Sequence, residues 1–336
     1  MRNKNLKKFE ATASACSNLA LIKYWGKKNI VLNTPAVGSI SITLDALTTT
    51  TTVCFDSRFN EDVFRLNGTH AGYEKEIRVS KFLDIIRQLA KLNLHAEVIS
   101  ENNFPTGAGL ASSASAFAAL ALAASEATNL SLSPNQFSEL ARRGSGSAAR
   151  SIYGGFVEMK VGNQMNGSDS IAYQLADENY WPLNVVIALT SHAEKEIGST
   201  EGMEHTVNTS PFYKDWVRSS SRDLIDMRDA IKKKDFTKLG EVSEFSCLKM
   251  HASAMAANPG IIYWNSTTID LIHRIREMRK DGLESYFTID AGPQVKILCQ
   301  GNDAGLLQKN LSDTPGLKKT IPSGLGPGAR LLEKKL

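Results

Sequence analysis

Asn103-Phe104-Pro105-Thr106-Gly107-Ala108-Gly109-Leu110-Ala111-Ser112-Ser113-Ala114-Ser115 is a small-residue loop that runs into an Ala-rich helical pattern. Leu94–Ser100, just before it, reads as a strand. A strand, a Gly/Ser turn and a helix N-terminus together make an anion site. Backbone N–H groups and the helix dipole favour negative charge, and residues without bulk let the backbone come close. The common nucleotide motifs do not fit: no Lys follows the glycines as a Walker A loop requires, and Ser112 stands where a dinucleotide fingerprint needs its third glycine. Ser112, Ser113 and Ser115 offer hydroxyls to phosphate oxygens or to a magnesium shell, which keeps few protein ligands. The segment alone equally admits a plainer reading, with Ser112 or Ser113 as the N-cap of a buried helix.

Outward from this loop, the chain reads as a globular protein of 336 residues, 42% hydrophobic and 22% charged, enough for one large or two ordinary domains. A net charge of +4 is too mild to argue for nucleic acid but leaves room for a local basic cleft. Cys16, Cys54, Cys247 and Cys299 are scattered without a C-x-x-C pair and read as reduced, packed thiols. Met1–Glu10 is basic but has no apolar signal core, and Ala114–Ala127 is too short to span a bilayer, so a cytoplasmic protein without membrane contact is expected.

The elements alternate between strand and helix. Ser39–Cys54 alternates in polarity and reads as paired strands around Asp45-Ala46. Lys81–Leu92 has helical apolar spacing, and the Ala-rich helix follows at Ser112–Asn129. Ser133, Pro134 and Gln136 form a capping-box start for a helix that runs to Arg143 and stops at Gly144. Asn184–Thr190 reads as a buried strand, and near it the chain divides into residues 1–185 and 186–336. The second part carries helices over Tyr213–Lys233, Phe236–Ala256 and Ser266–Lys280, then strands Ser285–Ile289 and Val295–Cys299. A helix over Gly301–Leu311, a loop at Ser323–Gly328 and a last strand at Ala329–Leu332 complete it. The expected class is α+β, two domains with a cleft between them.

Four further segments gather charge and hydroxyls. In Ala20-Leu21-Ile22-Lys23-Tyr24-Trp25-Gly26-Lys27-Lys28, Lys23 interrupts an apolar run, which is costly unless its ammonium meets an anion or water. Gly144-Ser145-Gly146-Ser147-Ala148-Ala149-Arg150 is a second Gly/Ser loop, whose Arg can fork onto a carboxylate or phosphate or can simply lie at the surface. Asp290, in Thr288-Ile289-Asp290-Ala291-Gly292-Pro293, is either an Asx-turn residue or a carboxylate displayed at a cleft. Gly198-Ser199-Thr200-Glu201-Gly202-Met203 fits an anion loop or a plain helix cap.

Pro105–Ala114 resembles the phosphate loop of the GHMP kinase superfamily. Ala20–Lys27, Gly144–Arg150, Ser199–Met203 and Tyr286–Pro293 narrow the resemblance to the mevalonate diphosphate decarboxylase family, in the family's order from Asn18 to about Leu298. The resemblance implies a ribosomal-protein-S5-domain-2-like N-terminal domain and a ferredoxin-like C-terminal domain, with the active-site cleft between them. It implies ATP-dependent conversion of (R)-5-diphosphomevalonate to isopentenyl diphosphate, with magnesium accompanying ATP, and a homodimer. Asp290, Lys23 and Arg150 are the catalytic residues it implies, Arg150 on the substrate carboxylate. Tyr24, Lys27, Ser145, Gly146, Ser147 and Ser199 would bind the substrate diphosphate. Pro105, Gly107, Gly109, Leu110, Ala111, Ser112, Ser113 and Ser115 would hold ATP, with Ser112 as the magnesium ligand.

One departure bears on the substrate. Some bacterial members have a basic residue after the serine matched by Ser199, and this chain has Thr200, with Lys195 nearby. Fewer charges there leave a phosphomevalonate decarboxylase as an alternative, and a mevalonate 3-kinase would stop after phosphorylation. A non-enzymatic RNA-binding module is disfavoured by the mild charge and the lack of basic–aromatic clusters.

Overall fold

A computed structural model describes residues 8–105, 109–193 and 195–335. The first sheet has eight strands, and its backbone is the antiparallel pair Lys8–Ile22 and Ser39–Asp56. His95–Asn102 follows on one side, then Val63–Leu66 in parallel and Thr69–His70 at the edge. Phe156–Met159 pairs with the start of Ser39–Asp56 and carries Ala172–Ala176.

The expected pair of strands around Asp45-Ala46 is instead one continuous strand with a bowed-out stretch. The ladder jumps from Cys16↔Thr48 to Asn18↔Thr43, so Leu44–Leu47 leaves it. The bow is stable because its polar groups find partners elsewhere. Asp45 accepts bonds from Ser323 Oγ at 2.8 Å and Gly324 N at 2.9 Å, and Leu44 bridges to Leu325.

Helix Ser112–Ala127 covers this sheet. Its alanines at 114, 118, 119, 121, 123, 124 and 127 are fully buried, and such small side chains let a helix approach the strands closely. The capping box at Ser133 forms as expected, with Pro134 at the first helical position. The helix expected at Lys81 begins earlier, at Tyr73. Its first two turns are largely exposed, so they carry no apolar period; the acidic first turn, Glu74 and Glu76, was the signal that marks this start.

The second sheet orders Tyr286–Ile289, Val295–Gln300, Leu183–Leu189 and Lys319–Ser323, all antiparallel. Period-two alternation splits its faces. Val186, Ala188, Ile289 and Ile297 pack under helices Ser266–Lys280 and Asp303–Leu311. Val185, Ile187, Tyr286 and Leu298 turn the other way and join Leu19, Leu21, Ile40 and Ile42 of the first sheet in one core, with Met227 and Leu239 from the long helices Tyr213–Lys233 and Phe236–Met255. The two sheets therefore share a hydrophobic core, and residues at their junction are held on a common frame. The last strand, Arg330–Lys335, returns to the first sheet and pairs with Lys8–Ile22. Among the described residues no helix is long and apolar enough to cross a membrane.

Candidate active site

Asp290 follows the last residue of strand Tyr286–Ile289, at the junction of the two sheets. Lys23 Nζ lies 2.7 Å from its Oδ1 and also donates to Ala20 O at 2.9 Å. Lys296 Nζ lies 3.2 Å from its Oδ2 and donates to Gly109 O at 2.6 Å. Burial by itself raises the carboxyl pKa; the two ammonium groups overcome this and hold it well below the usual carboxylate range. Asp290 is ionised throughout the neutral range.

Helix Phe236–Met255 braces both catalytic candidates. Ser246 Oγ accepts from the backbone N–H of Lys23 at 3.0 Å, and Cys247 Sγ accepts from Ile289 N at 3.2 Å. His251 Nε2 donates to Ile289 O at 3.2 Å. Burial pushes the His251 pKa down to about 3 and the Cys247 thiol up to about 11, so both are neutral braces that add no charge beside Asp290.

Arg150 is not at the surface. It is 2% exposed, with Nε on Ser41 Oγ at 3.0 Å, Nη1 on Ser39 Oγ at 2.7 Å and Nη2 on Asn18 Oδ1 at 3.1 Å. Burial lowers its pKa to about 10, yet every hydrogen-bond acceptor on its fork is neutral. A buried guanidinium without a bonded carboxylate is expensive unless an anionic ligand completes it. Lys23, Lys195, Lys296 and Arg150 all interact with Asp290, and this one carboxylate leaves three of the four positive charges uncompensated.

The second anion loop lies alongside. Ser145 Oγ is 3.3 Å from Ser147 Oγ and 3.2 Å from Ser113 Oγ, so the two Gly/Ser loops meet through their hydroxyls. Tyr24 is half-buried and packs against Gly146, where a Cβ would fall 2.3 Å from the phenol oxygen; that oxygen is itself buried and has no partner among the described residues. Lys195 donates to Ser199 Oγ at 2.6 Å and Ala291 O at 3.1 Å, and Lys27 to Thr200 Oγ1 at 3.1 Å. Burial lowers both lysines to about 8. Arg78 approaches from helix Tyr73–Ala90, bonding Gly144 O at 2.8 Å, and its charge lowers Lys27 further.

In the first loop, Thr106, Gly107 and Ala108 lie outside the described residues, so the expected role of Gly107 has no geometry here. Gly109 has φ +80°, and a Cβ there would lie 3.0 Å from Gly292 Cα, so this loop presses directly on the Asp290 turn. Ser17 Oγ holds Leu110 O at 2.8 Å and Ala111 O at 3.3 Å. The N-cap of the following helix is Ala111, left-handed at φ 53°, with no side-chain cap bond. Neither Ser112 nor Ser113 is the cap, and alanine is a poor one, so the plainer reading of the loop falls; the N-cap residue gives this helix N-terminus beside the site no side-chain cap bond. Ser115 departs from expectation. It is fully buried, 2.6 Å from Thr49 Oγ1, because its turn of the helix packs on strand Ser39–Asp56; its hydroxyl is spent on the sheet.

Sequence reasoning missed Lys296 and Arg78. Lys296 interrupts the apolar run Val295-Lys296-Ile297-Leu298-Cys299 as Lys23 interrupts its own, so the same signal was available. Arg78 sits among exposed polar helix residues and carries no such mark. No group of three or more His, Cys, Asp or Glu among the described residues can hold a metal by itself.

Residues 15–172 match the model of the diphosphomevalonate decarboxylase-like N-terminal domain, and residues 185–323 that of the mevalonate 5-diphosphate decarboxylase C-terminal domain. The chain belongs to the diphosphomevalonate decarboxylase family. Among its relatives, the diphosphomevalonate decarboxylase of Homo sapiens is 39% identical, over 85% of this chain and 76% of that one. The crystal structure of mevalonate diphosphate decarboxylase from Staphylococcus aureus superposes with a TM-score of 0.92 at 38% identity, covering 97% of this chain and 99% of the other. A second solved relative, MDDEF in complex with MVAPP, AMPPCP and magnesium, gives a TM-score of 0.91 at 41% identity, over 97% of this chain and all of that one. These family members share the two-domain GHMP kinase fold described above.

Proposed function

We propose that this chain catalyses the ATP-dependent decarboxylation of (R)-5-diphosphomevalonate to isopentenyl diphosphate, releasing ADP, phosphate and carbon dioxide. The observation that carries this reading is Asp290 clamped between Lys23 and Lys296 beside Arg150, a buried guanidinium with no bonded anion among the described residues.

The substrate's 3-hydroxyl is tertiary and a poor leaving group until it is phosphorylated. Asp290 accepts its hydrogen bond and aims it at the γ-phosphorus. So acidic a carboxylate is a weak base, and the proton moves to it only as the new P–O bond forms. Lys23 offsets the charge that gathers between the hydroxyl, Asp290 and the γ-phosphate, as positioning and charge stabilisation supply most of the catalysis in phosphoryl transfer. The 3-phosphate then leaves, positive charge builds at C3, and the C1–C2 electron pair becomes the alkene as carbon dioxide departs. Arg150 holds the carboxylate until then. Ser112, Ser113, Gly109, Leu110, Ala111 and the N-terminus of helix Ser112–Ala127 hold the ATP phosphates. The Ser112 hydroxyl would be the protein ligand of a magnesium ion, which would supply charge neutralisation on those phosphates when bound.

Tyr24, Lys27, Ser145, Gly146, Ser147, Ser199, Lys195 and Arg78 form the diphosphate end. Lys27, Lys195 and Arg78 make up for the uncharged Thr200, which favours the diphosphate over the monophosphate. Because Lys27 and Lys195 are depressed to about 8, they are charged below that pH and lose their protons above it. The expected result is that kcat/KM, which reports the free enzyme, declines as pH rises through about 8. A profile flat up to about pH 10, the ordinary lysine range, would remove these two groups from substrate binding.

The deciding assay sets mevalonate, 5-phosphomevalonate and 5-diphosphomevalonate side by side and measures ADP and carbon dioxide. Equal amounts of both from the diphosphate are expected. ADP without carbon dioxide points to a 3-kinase, and turnover confined to the monophosphate points to a phosphomevalonate decarboxylase.

A further inference from the structure

We infer that Lys296 is a positioning residue that anchors the nucleotide loop, through the carbonyl of Gly109, to the carboxylate that faces the acceptor hydroxyl. The inference rests on the reading of Asp290 and of the Gly109–Ser113 stretch given above. Lys296 stands second in strand Val295–Gln300, pairs with Thr288 on one side and Ile187 on the other, and is 2% exposed. Its neighbours Val295 and Ile297 point into the apolar layer under the outer helices, so period two turns Lys296 toward the first sheet. An ammonium buried this deeply persists only where its donors are used. Its two partners lie on opposite sides of one seam: Gly109 O at 2.6 Å on the nucleotide loop, and Asp290 Oδ2 at 3.2 Å on the turn that loop presses against.

The two lysines on Asp290 thereby divide their work. Lys23 takes Oδ1 and ties it back to Ala20 O, at the end of the first strand. Lys296 takes Oδ2 and ties it to the loop. Gly109, at φ +80° with no side chain, lets the loop close on Gly292, and Lys296 supplies the polar bond that fixes its depth. Loop and acceptor carboxylate are then set at one distance before either substrate arrives. An in-line transfer needs that registration.

The test is nucleotide affinity, measured by calorimetry with the non-hydrolysable analogue AMPPCP and magnesium, on wild type and Lys296→Met. Loss of a charge-assisted buried hydrogen bond should raise the nucleotide Kd about tenfold. Affinity for 5-diphosphomevalonate should stay near wild type, since its carboxylate and diphosphate partners are untouched. A folded Lys296→Met variant that binds nucleotide like wild type overturns the inference; so does equal loss of both affinities, which marks general collapse of the site. Lys296→Gln keeps a donor without the charge and carries the same comparison if the Met variant does not fold. Nucleotide binding needs no turnover. A wild type that binds AMPPCP but releases no carbon dioxide therefore sinks the decarboxylase reading and leaves the comparison on Lys296 decisive.

Discussion

An Asp290→Asn variant is expected to lose about a thousandfold in kcat, the scale of a positioned proton acceptor, while its affinity for adenine nucleotide is retained. The geometry explains the split. Asn has an amide nitrogen in place of one carboxylate oxygen, so either Lys23 or Lys296 would face a donor where it now has an acceptor, and the amide can take no proton. The bond from Lys296 to Gly109 O does not depend on the carboxylate, so the loop stays anchored. The substitution also leaves buried ammonium groups without their counter-charge, a loss of about 3 kcal/mol when a buried pair is broken. A lower urea midpoint is therefore expected alongside the kinetic loss, and single-turnover measurements on protein shown to be folded separate the two. Near-normal kcat in that protein would take Asp290 out of the mechanism.

Arg150→Lys should cost about a hundredfold or more in kcat/KM for the carboxylate substrate, with nucleotide affinity spared. Arginine meets Ser39, Ser41 and Asn18 with three nitrogens of one plane, and that plane fixes where its remaining donors point. A lysine keeps the charge but is a point donor. It cannot hold that set of acceptors, and it leaves buried oxygens unpaired. The effect is expected in KM for the acid as well as in kcat, because the carboxylate is bound in the ground state and lost only late in the reaction. If the lysine variant binds 5-diphosphomevalonate as tightly as wild type, Arg150 serves the fold and not the substrate.

Elements with a local signal lie where the sequence places them. Helix Ser266–Lys280 starts and stops where its residues say, because Asn265 and Thr268 cap each other within one turn. The same is true of the Ser133 box. Elements that lean on something distant carry no such signal. The bow at Leu44–Leu47 exists because Ser323 and Gly324 come to Asp45, and no pattern within Ser39–Cys54 announces them. Ser115 looked equivalent to Ser112 and Ser113, yet its place on the helix turns it onto Thr49.

By itself the sequence determined the inventory of the site: two Gly/Ser loops, a lysine breaking an apolar run, an aspartate at a strand end and an arginine behind the second loop. Each follows from a few adjacent residues, and their order along the chain was enough to name a family. The tertiary structure alone decided which of them meet. Lys23 and Asp290 are 267 residues apart and come within 2.7 Å only because the two sheets close on one core. Lys296 reaches Asp290 and Gly109 only in the register that pairs it with Thr288; a one-residue slip would turn it to the other face. Local propensity carries no information about that register, since it is set by packing between elements far apart in the chain.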